Sequence, residues 1–405
     1  MLIREKYLKK IRPFYDVDII KVLIGVRRSG KSFILKQITN ELVDNGIDDS
    51  HIITIDFEGL EFAHIQNEMD LHLYIKNLII DDHKYYLFFD EIQKVDNFEK
   101  ALASFKSSLN VSIFITGSNS TLLSGELATL LTGRYVSFKI MPLSFKEFLE
   151  INNVTVTDQT RLSYELKDYF NEYMKWGGFP QITDFKDDNS KKTYLNGLYD
   201  SILLRDIIQR SQVSDVETLK NILDYLISTN TRMFSSESIS AYFESINKKV
   251  STRTIYSYLD AIINAQIFNK VQRYDIRGKR LLTRNDKYYL VDLGFTQVKN
   301  YGLKTDISAA LETIVYNTLL SLDYEICVGV PKNGEIDFIA IKDNKRIYYQ
   351  VTYLFTSKEV EDREFNVYKE IKDNFEKYVL SLDEFDFSQD GIIHKNIIEF
   401  LLEVE

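Results

Sequence analysis

"VLIGVRRSGKS" (Val22–Ser32) decides how the first third of the chain is read. Val22, Leu23 and Ile24 run into a glycine, and Gly25 to Ser32 satisfies G-x-x-x-x-G-K-[ST]. The following "KSFILKQITNELVDNG" repeats apolar residues at helical spacing and stops at Asn45-Gly46, a helix-ending pair. Strand, glycine turn and helix in that order aim backbone amides at a phosphate from a helix N-terminus. Gly25 and Gly30 let the backbone wrap the phosphate without a Cβ in the way. Lys31 would reach the β- and γ-phosphates, and the Ser32 hydroxyl would ligate Mg²⁺. Arg28, Ser29 and Phe33 complete the segment expected against the nucleotide, with Arg27 and Arg28 at variable positions of the pattern.

Outward from that loop, "HIITIDF", "YYLFFDE", "VSIFITGS" and "YVSFKIM" read as further short strands rich in Val, Ile, Phe and Tyr. Buried strands alternating with helices predict an α/β domain whose parallel sheet is covered on both faces. "YYLFFDE" puts Asp90 and Glu91 at a strand end, where open α/β sheets bind ligands. Asp90 would hold Mg²⁺ and Glu91 would orient or deprotonate the attacking water; the bland alternative is a pair of solvated turn carboxylates. "FITGSNS" adds Thr116, Ser118 and Asn119 at another strand tip. Asn119, or Ser118, would sense the γ-phosphate or the lytic water.

The chain of 405 residues, 44% apolar and 27% charged, is long enough for two to four domains. Its net charge of −10 argues against a surface coated in nucleic acid but leaves room for a local basic patch. A single cysteine, Cys327, rules out an intrachain disulfide and a cysteine-based zinc site. The five histidines are scattered without metal-ligand spacing. No apolar run reaches 18 residues, and charges interrupt the N-terminal stretch, so a cytoplasmic protein with no membrane partner is expected.

Phosphate loop, acidic strand end and polar strand end, in that order, resemble the AAA+ ATPases. Gly133-Arg134 followed by "PLSFKEF" (Pro142–Phe148) is similar to a prokaryotic family of AAA-like ATPases, and the similarity runs along nearly the whole chain. The resemblance implies an ATPase core over residues 1–150 and a helical lid over 151–212. It implies that Arg134, before the fifth strand, completes a neighbouring subunit's ATP site, hence a homo-oligomer; the alternative for Arg134 is a surface salt bridge. In "WGGFP" (Trp176–Pro180), Gly178-Phe179-Pro180 resembles the G-x-P element of related signalling ATPases, in which the proline packs on adenine. A rigid helix–helix corner is the other reading of the same residues.

Residues 213–300 read as three helices and a hairpin turning at Arg277-Gly278-Lys279, a winged helix-turn-helix. Between Lys248 and Lys287, ten Lys/Arg face three Asp/Glu, a local +7. That footprint predicts a duplex DNA partner through residues 248–287, by way of phosphate contacts. A protein partner or a solvated hairpin would carry the same charge.

Residues 301–405 place Glu312 on a helix, Asp337 on a strand and Gln350 on the next. The layout resembles the PD-(D/E)XK nuclease fold, which implies Mg²⁺ on Glu312, Asp337 and Gln350. Thr352 stands where that pattern has its lysine, so a catalytically degenerate domain is expected. The chain thus reads as an ATP hydrolase whose nucleotide state controls a DNA-binding module. Two rivals stay open: a slow nucleotide switch acting through protein partners, and an ATP-gated nuclease.

Overall fold

The computed structural model describes residues 2–119, 131, 133–157, 163–211, 213–233, 235–298 and 306–404. Strands β1 (Ile20–Ile24), β2 (Ile52–Asp56), β3 (Tyr85–Asp90), β4 (Val111–Gly117) and β5 (Tyr135–Lys139) form one parallel sheet in the order β2-β3-β4-β1-β5. Alternate side chains feed two cores. Val22, Leu87, Phe89, Ile113 and Ile115 join one apolar cluster; Leu23, Phe88 and Phe114 join the other, with Ile34, Leu35 and Ile38 of the helix Lys31–Asp44. Burial on both faces explains why the inner strand β3 is almost wholly apolar, whereas the edge strands β2 and β5 carry exposed residues. Because β1 lies between β4 and β5, the loop leaving β1 opens beside the C-terminal end of β4.

The chain divides into two compact units: Met1–Met141 with Asn264–Gln266, and Pro142–Ile263 with Ile267–Glu405. The second unit starts with the helix Phe145–Ile151, closed by a Ser144/Glu147 capping box, and the helix Tyr164–Trp176. The helix Asp188–Ser201 runs on into a π-helical stretch, Ile202–Ile208, that carries Arg205 and Asp206. Helices Val216–Ser228, Ser236–Ser245 and Thr252–Asn264 precede the hairpin of β6 (Phe268–Asp275) and β7 (Arg280–Leu290). After the helix Ile307–Ser321 come β8 (Glu325–Val330), β9 (Ile336–Lys342), β10 (Lys345–Val351), β11 (Glu376–Ser381) and β12 (Ile393–Asn396).

Three helices and a hairpin are present where the sequence places them, but the hairpin does not stand alone. It extends a seven-stranded sheet, β12-β11-β10-β9-β8-β6-β7, through parallel pairing of Arg273, Tyr274 and Asp275 with Val328, Gly329 and Val330. Hydrogen bonding therefore crosses residue 300. The helix Phe145–Ile151, read almost wholly as the end of the core, and the helix Tyr164–Trp176, read as lid, share a cluster with the C-terminal region: Phe145, Phe148, Leu166 and Phe170 pack with Leu311, Ile314, Val328 and Phe338.

The glycine corner has a structural account inside this unit. Gly177 has φ +76, and a Cβ there would lie 1.8 Å from Asp292 Oδ1. Gly178 N donates to Asp292 Oδ2 at 2.7 Å and Gly294 N to Asp292 Oδ1 at 2.8 Å. Burial pushes the Asp292 carboxyl up to about 7, against the pull of those two N–H groups. Among the described residues, no helix is long and apolar enough to cross a membrane.

Candidate nucleotide site

The loop after β1 is shaped by two glycines. A Cβ on Gly25 would sit 2.2 Å from the Ile140 carbonyl oxygen, so no larger residue fits there without moving backbone. Gly30, at φ +100, turns the chain into the helix Lys31–Asp44, and Arg28 is also left-handed at φ 67. Ser29 is fully buried, and its Oγ has no hydrogen-bond partner in the protein. A Cβ-free wall, an orphaned hydroxyl and a helix N-terminus fit a loop built around a polyanion. Phe33 is half-buried on the first turn of that helix.

Lys31 is buried and donates Nζ to the carbonyls of Gly25 at 3.0 Å and Val26 at 3.2 Å. It also lies 3.9 Å from Glu91 Oε1. Ser32 is exposed and hydrogen-bonds Asp90. Burial raises the Asp90 carboxyl, opposed by its bonds to Ser32 and Thr116 and helped by the charges of Glu91 and Asp56. The Thr116 hydroxyl donates to Asp90 Oδ1 and accepts from Glu91 N at 2.9 Å. Glu91 sits at φ 52, and its Oε2 accepts from Gln93 Nε2 at 2.5 Å and Ser118 Oγ at 3.2 Å. Asn119 is buried at the same strand end. The fold thus gathers Ser32, Asp90, Glu91 and Ser118 into one group linked by hydrogen bonds through Thr116, with Lys31 3.9 Å from Glu91, although the sequence keeps these residues up to 87 positions apart. A divalent ion between the Ser32 hydroxyl and the Asp90 carboxylate would meet the hard oxygen donors Mg²⁺ prefers.

Two expected residues lie outside this group. Arg134 is exposed immediately before β5, and its carbonyl accepts from Ile20 N at 2.9 Å. Pro180 opens the turn Pro180–Asp184 of the second unit, and its adenine contact rests on the resemblance alone. One residue was missed. Arg4 is almost fully buried and donates Nη1 to the Ser29 carbonyl at 2.9 Å and to the Met141 carbonyl at 3.0 Å. It joins the phosphate loop to Met141, where the long N-terminal segment of the first unit ends.

In the basic stretch, Lys249, Arg253, Arg277, Lys279 and Arg280 are exposed. At the hairpin tip, Asp275 Oδ1 accepts from the N–H groups of Arg277 and Gly278, and Lys279 takes φ 50. Lys248 lies 3.6 Å from both Asp215 and Glu217, and Lys270 pairs with Asp286 at 3.0 Å. Lys287 corrects the sequence reading. It is buried, 5% exposed, and points at carboxylates rather than at a surface.

Its neighbours are the residues of the nuclease-like pattern. Lys287 Nζ lies 2.9 Å from Glu312, 2.5 Å from Glu335 and 3.8 Å from Asp337. Burial pulls the ammonium down, but Glu312, Asp337 and Glu335 outweigh it and hold Lys287 above its ordinary range. Burial, then the charge of Glu312, pushes the Asp337 carboxyl well up, against the pull of Lys287. Gln350 accepts from Asp337 N at 3.3 Å, and Thr352 is buried with its N–H on the Leu380 carbonyl. The histidines also differ from their scattered reading: His51 Nε2 and His83 Nδ1 each lie 3.2 Å from Asp81 Oδ2, at the N-terminal ends of β2 and β3.

Residues 18–149 match the AAA domain family, and residues 167–300 match a domain of unknown function, DUF8612. With the parallel five-stranded sheet and its phosphate loop, this makes the first unit an AAA domain of the P-loop ATPase class. The chain belongs to the same family as an uncharacterized protein of Haemophilus influenzae, 38% identical over 405 residues, which cover 100% of this chain and 99% of that one. An uncharacterized protein of Methanocaldococcus jannaschii is 34% identical over 367 residues, 87% of this chain and 79% of its own length. The Walker-type ATPase PABY2304 of Pyrococcus abyssi shares the fold at a TM-score of 0.52 and 16% identity, over 74% of this chain and 95% of that one.

Proposed function

We propose that this chain hydrolyses ATP and uses its nucleotide state to control a winged-helix surface of the second unit that binds duplex DNA. The observation that carries it is the junction of Lys31, Asp90 and Glu91 at the sheet end, in a domain of the P-loop ATPase class. Gly25, Arg28, Ser29 and Gly30 line the phosphates, with Phe33 as a base contact. Lys31 exchanges the carbonyls of Gly25 and Val26 for phosphate oxygens. Bound at Ser32 and Asp90, Mg²⁺ would neutralise charge on the β- and γ-phosphate oxygens. Glu91 takes the proton of the attacking water, with Asn119 beside it as sensor.

Glu91 Oε2 already accepts from Gln93 and Ser118, so that oxygen reaches the attacking water only by exchanging one of those bonds. That favours a slow basal rate raised by a trigger, either duplex DNA or the Arg134 of a neighbouring subunit. DNA contact is assigned to the exposed cations of the hairpin tip and of the helix Thr252–Asn264. Arg4, bonded to both Ser29 and Met141, is the route by which a change in the phosphate loop reaches the point where the chain leaves the first unit.

Fluorescence anisotropy of a labelled duplex tests the coupling. Glu91→Gln with ATP should bind the duplex with an affinity different from that of the nucleotide-free protein. Equal affinities in the two states, or no duplex binding at all, would favour the switch that works through protein partners.

A further inference from the structure

The nuclease-like layout implies a divalent ion on Glu312, Asp337 and Gln350, and the side chains do not fit one. Lys287 Nζ already stands among the carboxylates, 2.5 Å from Glu335 Oε1, 2.9 Å from Glu312 Oε1 and 3.8 Å from Asp337 Oδ1. Several of the other donors are engaged as well, although Glu335 Oε2 is buried without a hydrogen-bond partner. Glu312 Oε1 accepts a second hydrogen bond, from Tyr289 Oη at 2.6 Å. Asp337 Oδ2 accepts from Val351 N at 2.8 Å, and Gln350 directs its amide to Glu364 Oε2 at 2.9 Å. Mg²⁺ demands near-octahedral oxygens at about 2.1 Å and gives up its waters reluctantly. Placed on these carboxylates it would lie within roughly 4 Å of a fixed ammonium and be repelled by it.

We propose that Lys287 is the resident cation of this site: its ammonium takes the place of a divalent metal and closes the cluster to Mg²⁺. The same ion pairs fasten β7 to the helix Ile307–Ser321 and to the start of β9. The missing lysine at Thr352 is thus not replaced by a catalytic one. Lys287 is held by the groups that would have to bind the metal, and removing it leaves buried carboxylates repelling one another.

Mn²⁺ binding to the nucleotide-free, full-length chain tests this, read by EPR of free Mn²⁺ and by thermal unfolding. The wild-type chain should bind Mn²⁺ no better than Asp337→Asn, and Mn²⁺ should leave its Tm unchanged. Lys287→Met should lose several degrees of Tm without metal, gain one Mn²⁺ site and recover Tm when Mn²⁺ is added. Adding Asp337→Asn to Lys287→Met should abolish that gain. Should Lys287→Met fail to fold, the wild-type comparison decides by itself. A wild-type Mn²⁺ site that disappears in Glu312→Gln overturns the proposal. So does a folded Lys287→Met with unchanged Tm and no new Mn²⁺ site.

Discussion

Lys31 Nζ and Glu91 Oε1 lie 3.9 Å apart, with Lys31 folded onto the carbonyls of its own loop. The two groups have opposite tasks. In the function proposed above, Lys31 binds charge in ground and transition states alike, whereas Glu91 acts only on the attacking water. Lys31→Ala should therefore weaken ATP binding at least tenfold. Glu91→Gln should keep affinity within about threefold and lower kcat by roughly 10²–10³. Calorimetric titration and single-turnover hydrolysis separate the two; normal turnover by Glu91→Gln would remove it as the base.

Arg4 predicts a stability effect that its position near the N-terminus hides. Truncation to Ala leaves the Ser29 and Met141 carbonyls without their donor, at about 1–3 kcal/mol for each buried group. Arg4→Ala should lower Tm by roughly 5–10 °C in calorimetry. Arg4→Lys should recover less than half of this, because the shorter side chain ends one bond before Nη1, the single nitrogen that makes both bonds. Full recovery by Lys would show that charge, not the two-carbonyl bridge, is what matters.

Asp292 gives a pH dependence with a definite sign. Its folded pKa of about 7 stands above the ordinary 3.8, so the fold prefers the neutral acid, and ionisation weakens it as pH rises from about 4 to about 7. Asn cannot ionise, but it cannot accept from both Gly178 and Gly294 as the two Asp292 oxygens do. Asp292→Asn should be most harmful at the acid end. Its deficit should shrink by up to about 1.4 kcal/mol per pH unit towards pH 7. Denaturant unfolding at pH 5, 6, 7 and 8 measures this, and a deficit that grows with pH would contradict it.

For the hairpin, replacing Arg277, Lys279 and Arg280 by Ala should weaken duplex binding for every sequence alike. The slope of log K against log salt should fall by about 1 for each phosphate that the variant no longer neutralises. An unchanged slope would put the DNA surface elsewhere.

The first unit was legible because its signals are local. A short strand ending Val22-Leu23-Ile24, two glycines and a Lys-Ser pair are close in sequence, and Asp90 and Glu91 stand at the end of their own strand. What escaped depends on pairing between distant segments. The Thr116–Asp90 bond follows from the β3–β4 register, and Arg4 finds Ser29 and Met141 only after folding. Lys287 reads as one more cation in a basic stretch. Only the docking of β6 on β8 and the approach of Glu312, Glu335 and Asp337 turn it inward. His51 and His83 meet at Asp81 for the same reason: β2 and β3 are neighbours in the sheet.

The central claim, an ATPase completed by a neighbouring subunit and coupled to DNA, is tested most directly by specific ATPase rate against protein concentration, with and without duplex DNA. The rate per chain should rise with concentration, rise further with DNA, and lose both increments in Arg134→Ala while ATP binding persists. A low rate that is flat in concentration and indifferent to DNA would contradict it.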